Sequence, residues 1–209
     1  FMELGYQVAL NGAKGYAGVA TLTKGKPDEV IKGFREPPED SHCRILNVLI
    51  GGVRIYNLYV PNGTALGTDA FAYKLQWLER LRVELDAHSR VDEPLLLCGD
   101  FNIAPDARDL VDPASMVGCT HFSPEEHAAL ARLQGFGLRD CFRKFNQEAG
   151  QFTWFDYRAG AFRKNQGMRI DHVYATAPLY ERCVSVEHDA SPRSGESPSD
   201  HIPVLAKFS

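Results

Sequence analysis

One short apolar run constrains the fold of this chain more than any other feature, because it is followed at once by paired polar residues. Residues 95–97 are three leucines, Pro94 precedes them, and residues 98–103 have the sequence Cys-Gly-Asp-Phe-Asn-Ile. The pattern predicts a buried strand that delivers two polar side chains, Asp100 and Asn102, to its C-terminal end. Because these residues lie two positions apart, both side chains project from the same side of an extended chain.

A carboxylate and a carboxamide side by side suit a phosphate-binding site. Asp100 can take a proton from water, and Asn102 can donate a hydrogen bond to a phosphoryl oxygen. The alternative is an ordinary turn between a strand and a loop, because Gly, Asp, Asn and Pro all favour turns. Taken alone, this motif favours the turn.

Size and composition predict one globular domain. The chain has 209 residues, of which 44% are hydrophobic and 24% charged, enough for one substantial core but short for two. No apolar run approaches the roughly 18 residues that a membrane helix needs, so we expect no membrane partner. The five cysteines are scattered and lack zinc-binding spacing, which favours reduced thiols. We expect the protein in the cytoplasm of a bacterium.

The net charge of −4 argues mildly against a protein that coats nucleic acid, because such a protein would be basic overall. A nuclease remains possible, since a metal site needs clustered carboxylates and only local positive charge grips a backbone. Such a local excess lies between residues 158 and 169, where Arg158, Arg163, Lys164 and Arg169 occur without an acidic residue. These four are candidates for phosphate contacts, and the alternative is a solvated basic loop.

Strands outnumber helices in the predicted pattern. Gly51-Gly52 is a two-residue hairpin signal between β-rich runs at 45–50 and 53–60. Apolar residues at helical spacing predict a helix over 71–88, and Ser123 with Glu126 forms a capping-box pattern for a helix that ends near Gln134. Further strands are predicted at 7–11, 17–23, 95–98, 152–155, 169–175, 183–188 and 204–208. Two packed sheets with helices outside would bury such strands on both faces.

Two later motifs favour a functional role for the first one. Residues 168–174 are Met-Arg-Ile-Asp-His-Val-Tyr, and residues 199–204 are Ser-Asp-His-Ile-Pro-Val. Together, in this order, Gly-Asp-Phe-Asn, Arg-Ile-Asp and Ser-Asp-His-Ile-Pro-Val resemble the exonuclease/endonuclease/phosphatase superfamily of metal-dependent phosphodiesterases. Segments at 15–20, 58–63 and 152–158 narrow the resemblance to the exonuclease III group of DNA-repair nucleases, which also holds the abasic-site endonucleases.

The resemblance runs along the whole chain and implies an α/β fold. Its form is a four-layer α/β sandwich, in which two packed mixed β-sheets are flanked by helices and the site lies at one end of the sheets. The implied function is a DNA-repair nuclease that cuts duplex DNA in the 3′→5′ direction and at abasic sites. Mg²⁺ or Mn²⁺ is the expected metal, because carboxylate and amide oxygens are hard ligands that suit these ions.

The resemblance assigns roles to individual residues. Asp171 would accept a hydrogen bond from His201, which would fix the histidine tautomer, whereas the alternative for Asp171 is to neutralise Arg169. His172 points to the opposite face and is expected to be structural. The implied catalytic residues are Tyr59, Asp100, Asn102, Asp171 and His201, and the implied metal ligands are Asp100, Asn102, Asp200 and His201. The implied DNA contacts are Asn62, Trp154, Arg158, Arg163, Lys164, Asn165 and Met168.

Trp154 and Met168 occupy positions that line a pocket for a flipped-out sugar in relatives. The alternative is that Trp154 belongs to the core with Phe155. An abasic nucleotide is easily flipped because it has no base to unstack. The expected substrates are therefore duplex DNA, abasic sites and 3′ ends.

The start of the chain departs from the family pattern. Residues 1–6 resemble the stretch that comes after the family's Gln-Glu segment, whose Glu is a metal ligand. We expect residues 1–209 to be a single domain that lacks its N-terminal strand and this Glu segment, and to be a monomer at full length. Two alternatives stay open, namely a phosphatase for a lipid or inositol phosphate and an inactive, truncated DNA-binding remnant.

Overall fold

The computed structural model describes residues 1–13, 17–38 and 42–209, so Gly15 and Tyr16 of one predicted motif lie outside the described residues. The helices are α1 (Asp69–His88), α2 (Pro124–Gln134) and the single turn α3 (Ala177–Tyr180). The strands are β1 (Gln7–Gly12), β2 (Gly18–Thr23), β3 (Glu29–Lys32), β4 (Ile45–Ile50), β5 (Val53–Tyr59), β6 (Leu95–Asp100), β7 (Arg139–Asp140), β8 (Trp154–Phe155), β9 (Gly167–Met168), β10 (Asp171–Ala175), β11 (Cys183–His188) and β12 (Val204–Phe208). Within these ranges every helix falls short of the length and apolarity needed to span a bilayer.

A six-stranded mixed sheet positions the polar motifs. Its strand order is β3-β4-β5-β6-β10-β7. Strands β5 and β6 are parallel neighbours in it, and α1 supplies the crossover that a parallel pair needs. Parallel strands end at the same edge, so Tyr59 pairs with Asp100, while Asp171 at the start of antiparallel β10 pairs with Asp100 from the other side. The sheet therefore brings three predicted site residues to one edge.

The two faces of this sheet carry different layers. Leu95 and Leu97 of β6 pack against helices α1 and α2 in the main core, together with Trp77 and Leu81 of α1. Because successive side chains alternate, Cys98 points to the other face and packs in a second cluster with the β11–β12 hairpin. The helices thus cover one face of β6 and the hairpin covers the opposite face.

A second hairpin, β1–β2, covers the remaining part of that face. Val19 of β2 packs on Leu46 and Val48 of β4, and the Asn57 side chain donates to the Ala20 carbonyl at 2.8 Å. The two hairpins form the layer that opposes the helices across the large sheet. The predicted α/β class, with mixed sheets flanked by helices, is confirmed.

Local sequence signals account for most element boundaries. Gly51 and Gly52 have φ angles of 57° and 75° and join β4 to β5, as the hairpin signal predicts. Helix α2 has its predicted bounds, and the Ser123 hydroxyl and Glu126 carboxylate form a complete capping box. Helix α1 begins two residues before the prediction, at Asp69, because the Thr68 hydroxyl accepts from Phe71 N and caps it.

The short strands β3, β7 and β9 were not predicted, and two predicted strands are shorter in the structure. Strand β3 was not predicted, because it is a short, largely exposed edge strand without a clear alternation. The run predicted at 169–175 becomes a strand only at Asp171, since the backbone N–H of Arg169 donates to the Asp109 carbonyl and that of Ile170 to Thr153 Oγ1. The run at 152–155 is reduced to Trp154–Phe155.

Candidate active site

A close approach between two strands builds the first part of the site. Gly99 of β6 has φ 132°, and a Cβ atom there would lie only 2.0 Å from the carbonyl oxygen of Leu58. Any other residue would therefore push β6 away from β5. The glycine in the Gly-Asp-Phe-Asn motif lets Asp100 end the strand directly beside Tyr59.

Asn102 holds the carboxylate of Asp100 from two sides. Its backbone N–H donates to Asp100 Oδ1 and its Nδ2 donates to Asp100 Oδ2, both at 2.8 Å. Nδ2 also donates to the Val60 carbonyl at 3.0 Å, while Oδ1 accepts from Asn62 Nδ2 at 3.2 Å. Both amide hydrogens of Asn102 are thus directed to protein atoms, and the side chain supports Asp100.

The pKa of Asp100 is raised by its surroundings. Burial raises its pKa to about 7, and the negative charge of Asp171 on the neighbouring strand contributes to the rise. The charge of His201, the N–H of Asn102 and the charge of Lys74 act in the opposite direction and are outweighed. A carboxyl group with a pKa near 7 can exchange a proton under ordinary conditions.

Asp171 and His201 form the predicted pair. His201 Nδ1 lies 2.9 Å from Asp171 Oδ2 and 3.1 Å from Oδ1. Burial alone would lower the pKa of His201, but the hydrogen bond and charge of Asp171, with smaller effects of Asp100 and Asp200, raise it to about 9. The imidazole is consequently a cation near neutral pH. Because Nδ1 is bonded to Asp171, the Nε2–H is the group that can donate to a substrate.

A bend at Asp200 explains how the adjacent residues Asp200 and His201 share one site. Trp154 forms an isolated bridge with His201, and the N–H of Phe155 donates to the carbonyl of Asp200 at 2.9 Å. The indole Nε1 of Trp154 donates to Asp200 Oδ2 at 3.0 Å. Trp154 thus holds the Asp200 carboxylate, a contact that its sequence position did not reveal.

The candidate DNA contacts lie on the loop after β8 and in β9. Arg158 is 87% exposed in its side chain and forms a bidentate pair with Asp156. Arg163, Lys164 and Asn165 are exposed, and the Asn165 amide donates to the Gly150 carbonyl at 3.0 Å. Met168 is half-buried and pairs with Trp154 across β8 and β9.

The prediction that Arg169 contacts phosphate is wrong. Its side chain is only 1% exposed, and its Nε donates to Asp109 Oδ1 at 2.6 Å. A second nitrogen of the guanidinium lies 2.8 Å from Asp140 Oδ2. A buried guanidinium needs such partners, and these acids are too distant in sequence to have been foreseen. His172, expected to be structural, is buried in the same cluster and lies 3.1 Å from Arg169.

Two basic residues near the site were missed by the sequence analysis. The guanidinium of Arg44 lies 4.5 Å above the ring centroid of half-buried Tyr59 and donates to the Tyr59 carbonyl. Lys74 is fully buried and donates to the carbonyls of Asn62 and Asn102. Neither residue lies within a recognisable motif, so only the tertiary structure identifies them.

The donor set of the site matches a hard divalent cation in chemistry. Asp100, Asp171 and Asp200 offer carboxylate oxygens, and burial together with the charge of Asp171 raises the pKa of Asp100. Among the residues described, no group of three or more His, Cys, Asp or Glu side chains is arranged to hold an ion alone. Mg²⁺ typically keeps several waters and uses one or two carboxylates together with substrate phosphate, so this set is compatible with it.

Comparisons with known proteins agree with this geometry. The sequence profile of the Endonuclease/Exonuclease/phosphatase family matches residues 3–201. Exodeoxyribonuclease III of Haemophilus influenzae is 38% identical to this chain over an alignment of 218 residues. The alignment covers 99% of this chain and 82% of that protein.

Two solved structures are also similar along nearly the whole chain. An AP endonuclease from Archaeoglobus fulgidus is 34% identical with a TM-score of 0.93, covering 99% of this chain and 80% of its own. The 3′ phosphatase NExo from Neisseria, bound to a product DNA hairpin, is 35% identical with a TM-score of 0.95, covering 100% of this chain and 81% of its own.

Proposed function

We propose, on the premise that this chain belongs to the Endonuclease/Exonuclease/phosphatase family, that it is a DNA-repair nuclease of the exonuclease III type. The predicted resemblance to the exonuclease III and abasic-site endonuclease group is confirmed. The proposed reaction is hydrolysis of phosphodiester bonds in duplex DNA, from 3′ ends and at abasic sites. The observation that carries the proposal is the Asp171–His201 pair directly beside Asp100 at one sheet edge.

The proposed mechanism assigns each group one task. Asp100, whose pKa is about 7, takes a proton from the water that attacks phosphorus. His201, a cation held by Asp171, donates through Nε2 to a phosphoryl oxygen and stabilises the charge that develops there. As the new P–O bond forms, the bond from phosphorus to the leaving sugar oxygen breaks. Tyr59, at the end of β5, supplies a further hydroxyl at this edge.

The metal is proposed to be Mg²⁺ or Mn²⁺, held by Asp100 and Asp200 with oxygens of water and phosphate. When bound, such an ion neutralises phosphate charge and stabilises the leaving oxygen. Two protein ligands are thus proposed for the metal, whereas the sequence predicted four. His201 Nε2 is assigned to the phosphoryl oxygen, and the Asn102 carboxamide is already engaged by Asp100, Val60 and Asn62.

The proposed substrate is supported by the relatives and by the surface beside the site. The relatives named above are enzymes that act on DNA, which favours a nuclease over a phosphatase for lipid or inositol phosphates. Trp154 and Met168 pair across β8 and β9 next to His201, where an abasic sugar could be received. The intact Asp171–His201 pair favours a catalyst over an inactive DNA-binding remnant.

A 3′-phosphatase activity is a second candidate, favoured by the similarity to the Neisseria 3′ phosphatase. The same attack on phosphorus would serve a terminal phosphate, with the sugar 3′ oxygen leaving. Which of these activities dominates is a property to be measured.

One assay tests these proposals together. The chain is incubated with Mg²⁺ and four substrates: a duplex with one abasic site, an intact duplex, a duplex with a 3′-phosphate, and inositol trisphosphate. We expect metal-dependent cleavage of the abasic duplex, abolished by chelator and by Asp100→Asn. Phosphate release from inositol trisphosphate without DNA cleavage would contradict the proposal. Binding of the duplex without any turnover would support the remnant.

A further inference from the structure

A fully buried lysine lies beneath the candidate active site. Lys74 belongs to α1, and its side chain is 0% exposed. Its ammonium donates to the carbonyl of Asn62 at 3.1 Å and to that of Asn102 at 2.7 Å, and it forms an ion pair with Glu126 of α2. The three acceptors use all three hydrogens of the ammonium. Two helices are thus tied to Asn102, which holds the Asp100 carboxylate, and to Asn62, which donates to Asn102.

The partner carboxylate is equally well satisfied. Glu126 Oε1 accepts from the Thr120 hydroxyl at 3.1 Å and from the N–H of His121 at 2.9 Å, and Oε2 accepts from the N–H and hydroxyl of Ser123. His121 Nδ1 in turn lies 2.7 Å from the carbonyl of Asn102. A buried ion pair is tolerated when its remaining hydrogen-bonding capacity is filled in this way. The network thus reaches two backbone carbonyls, and that of Asn102 is held from two sides, by Lys74 and by His121.

The backbone of Asn102 gives this network a purpose. Its φ is 51°, in the left-handed region that non-glycine residues adopt at some conformational cost. In this conformation both its N–H and its side-chain amide reach the Asp100 carboxylate. Lys74 and His121 hold the carbonyl on the other side of the residue.

We propose that Lys74 and Glu126 are a positioning pair, which keeps Asn102 left-handed and thereby aims the Asp100 carboxylate at the reacting water. The proposal rests on the proposed function of Asp100, although neither Lys74 nor Glu126 touches substrate. A displacement of about 1 Å at a reacting group can cost ~10²-fold in rate. Loss of the pair should therefore lower kcat without a matching change in substrate affinity.

A double variant separates positioning from stability. Lys74→Met leaves the buried Glu126 carboxylate without its cation, so this single variant should be both unstable and slow. Lys74→Met with Glu126→Gln contains no buried charge and should recover much of the stability. We expect its kcat on an abasic duplex to remain ~10- to 100-fold below wild type, with KM changed by less than about 3-fold.

The matched control uses a buried glutamate on α1, the helix that carries Lys74. Glu84 of α1 is 3% exposed in its side chain and pairs with Arg35, away from the site. Arg35→Met with Glu84→Gln removes an ion pair of similar kind, and kcat should stay within about 2-fold of wild type. A double variant at Lys74 and Glu126 that regains full kcat along with its stability would overturn the proposal.

A second readout is independent of turnover. The N–H of Asn102 is bonded to Asp100, so its exchange with solvent should be protected in the wild-type protein. We expect at least a 10-fold loss of that protection in the Lys74 and Glu126 double variant and none in the Arg35 and Glu84 control. Unchanged protection would refute the pair's role in positioning. Absence of DNA cleavage by the wild-type chain would refute only the proposed function.

Discussion

Asp171 and His172 are adjacent on β10, yet they belong to two polar clusters of opposite character. Asp171 faces the site cluster and holds His201, which is 31% exposed in its side chain and whose pKa is raised to about 9. His172 faces an interior cluster, where burial and then the charge of Arg169 lower its pKa well below the ordinary value. His201, which contacts β10 through Asp171, and His172, which belongs to β10, are therefore a cation and a neutral ring at pH 7.

The balance of charge distinguishes the two clusters. In the interior cluster the carboxylates of Asp109 and Asp140 are matched by the guanidinium groups of Arg143 and Arg169. In the site cluster Asp100, Asp171 and Asp200 face the cation of His201, and Lys74 acts more weakly on Asp100, whose pKa rises to about 7 as a consequence of burial and repulsion. A balanced, closed cluster stabilises the fold, whereas an unbalanced, open one is able to take up a proton, a metal ion or a phosphate.

The largest effect is expected for Asp100, in the site cluster. Asp100→Asn removes the proton acceptor, so the rate on an abasic duplex should fall by about 10²- to 10⁴-fold at saturating Mg²⁺. Duplex binding, measured by fluorescence anisotropy, should stay close to wild type because the side chain keeps its shape. Asp140→Asn in the interior cluster is the matched control, and its folded fraction should retain kcat within a few-fold. Asp100→Asn activity near wild type would remove Asp100 from the mechanism.

The next effect concerns stability rather than catalysis. Arg169→Met leaves Asp109 and Asp140 with one fewer buried cation, and breaking such a pair costs about 3–5 kcal/mol in unfolding free energy. Urea denaturation checks this value. At low temperature, where the variant is still folded, kcat should remain near wild type. A stable variant with low kcat would mean that the interior cluster serves catalysis after all.

The paired groups of the site should act as a unit. His201→Ala and Asp171→Asn should each lower kcat by roughly 10- to 100-fold, and the double variant should be little slower than the worse single variant. His172→Gln is the control from the opposite face and should leave the rate unchanged in folded protein. Losses that multiply in the double variant would show that Asp171 and His201 act independently.

The two histidines should also give pH dependences of opposite sign in protein stripped of metal. The pKa of His201 is raised to about 9 in the fold, so its stabilising contribution is complete below about 6.5 and is lost as pH rises through 9. His172 has a lowered pKa, so its contribution grows as pH rises towards 6.5. Unfolding free energy in chelator should therefore fall by about 1–3 kcal/mol between pH 6.5 and 9. His201→Gln should flatten this fall, and an equal fall in that variant would assign it elsewhere.

Local signals in the sequence were enough for parts of the fold and of the site. The capping residues of α2 and the glycines between β4 and β5 act within a few residues of their targets, so their consequences could be predicted. The Asp171–His201 contact could be anticipated because both residues belong to motifs with a known order. Its geometry depends on the bridge between Trp154 and His201, which no local signal predicts.

Contacts between distant residues explain why some residues were missed or mistaken. Lys74 lies between Tyr73 and Leu75 on α1, where no local signal distinguishes it from a surface lysine, because its partner Glu126 lies 52 positions away. Arg169 follows Arg163 and Lys164 in a basic stretch, yet it is buried by Asp109, which is 60 positions away. Charge in a sequence therefore locates cations and anions, and only the packing decides which are compensated.

The smallest effect is expected on the exposed loop, where charge is screened and partly compensated. Each phosphate contact that is removed should lower the slope of log K against log salt by about 0.9. Arg163→Met with Lys164→Met should therefore lower the slope by about 1.8, since both side chains are exposed. Arg158→Met should have a smaller effect, because Asp156 already neutralises this guanidinium. Arg132→Met on α2, an exposed arginine paired with Glu79, is the control and should leave the slope unchanged.

Titrations of an abasic duplex at several salt concentrations measure these slopes. The loop differs from both the interior cluster and the site cluster, because its cations exceed its anions and face solvent. If it binds DNA, its excess positive charge draws the backbone towards the site cluster, where negative charge is in excess and a metal ion would mediate the contact. An unchanged slope in a variant that carries all three changes, at Arg158, Arg163 and Lys164, would mean that the loop is only a solvated face. Binding would then depend on cations nearer the site, of which Arg44 beside Tyr59 is the first to replace.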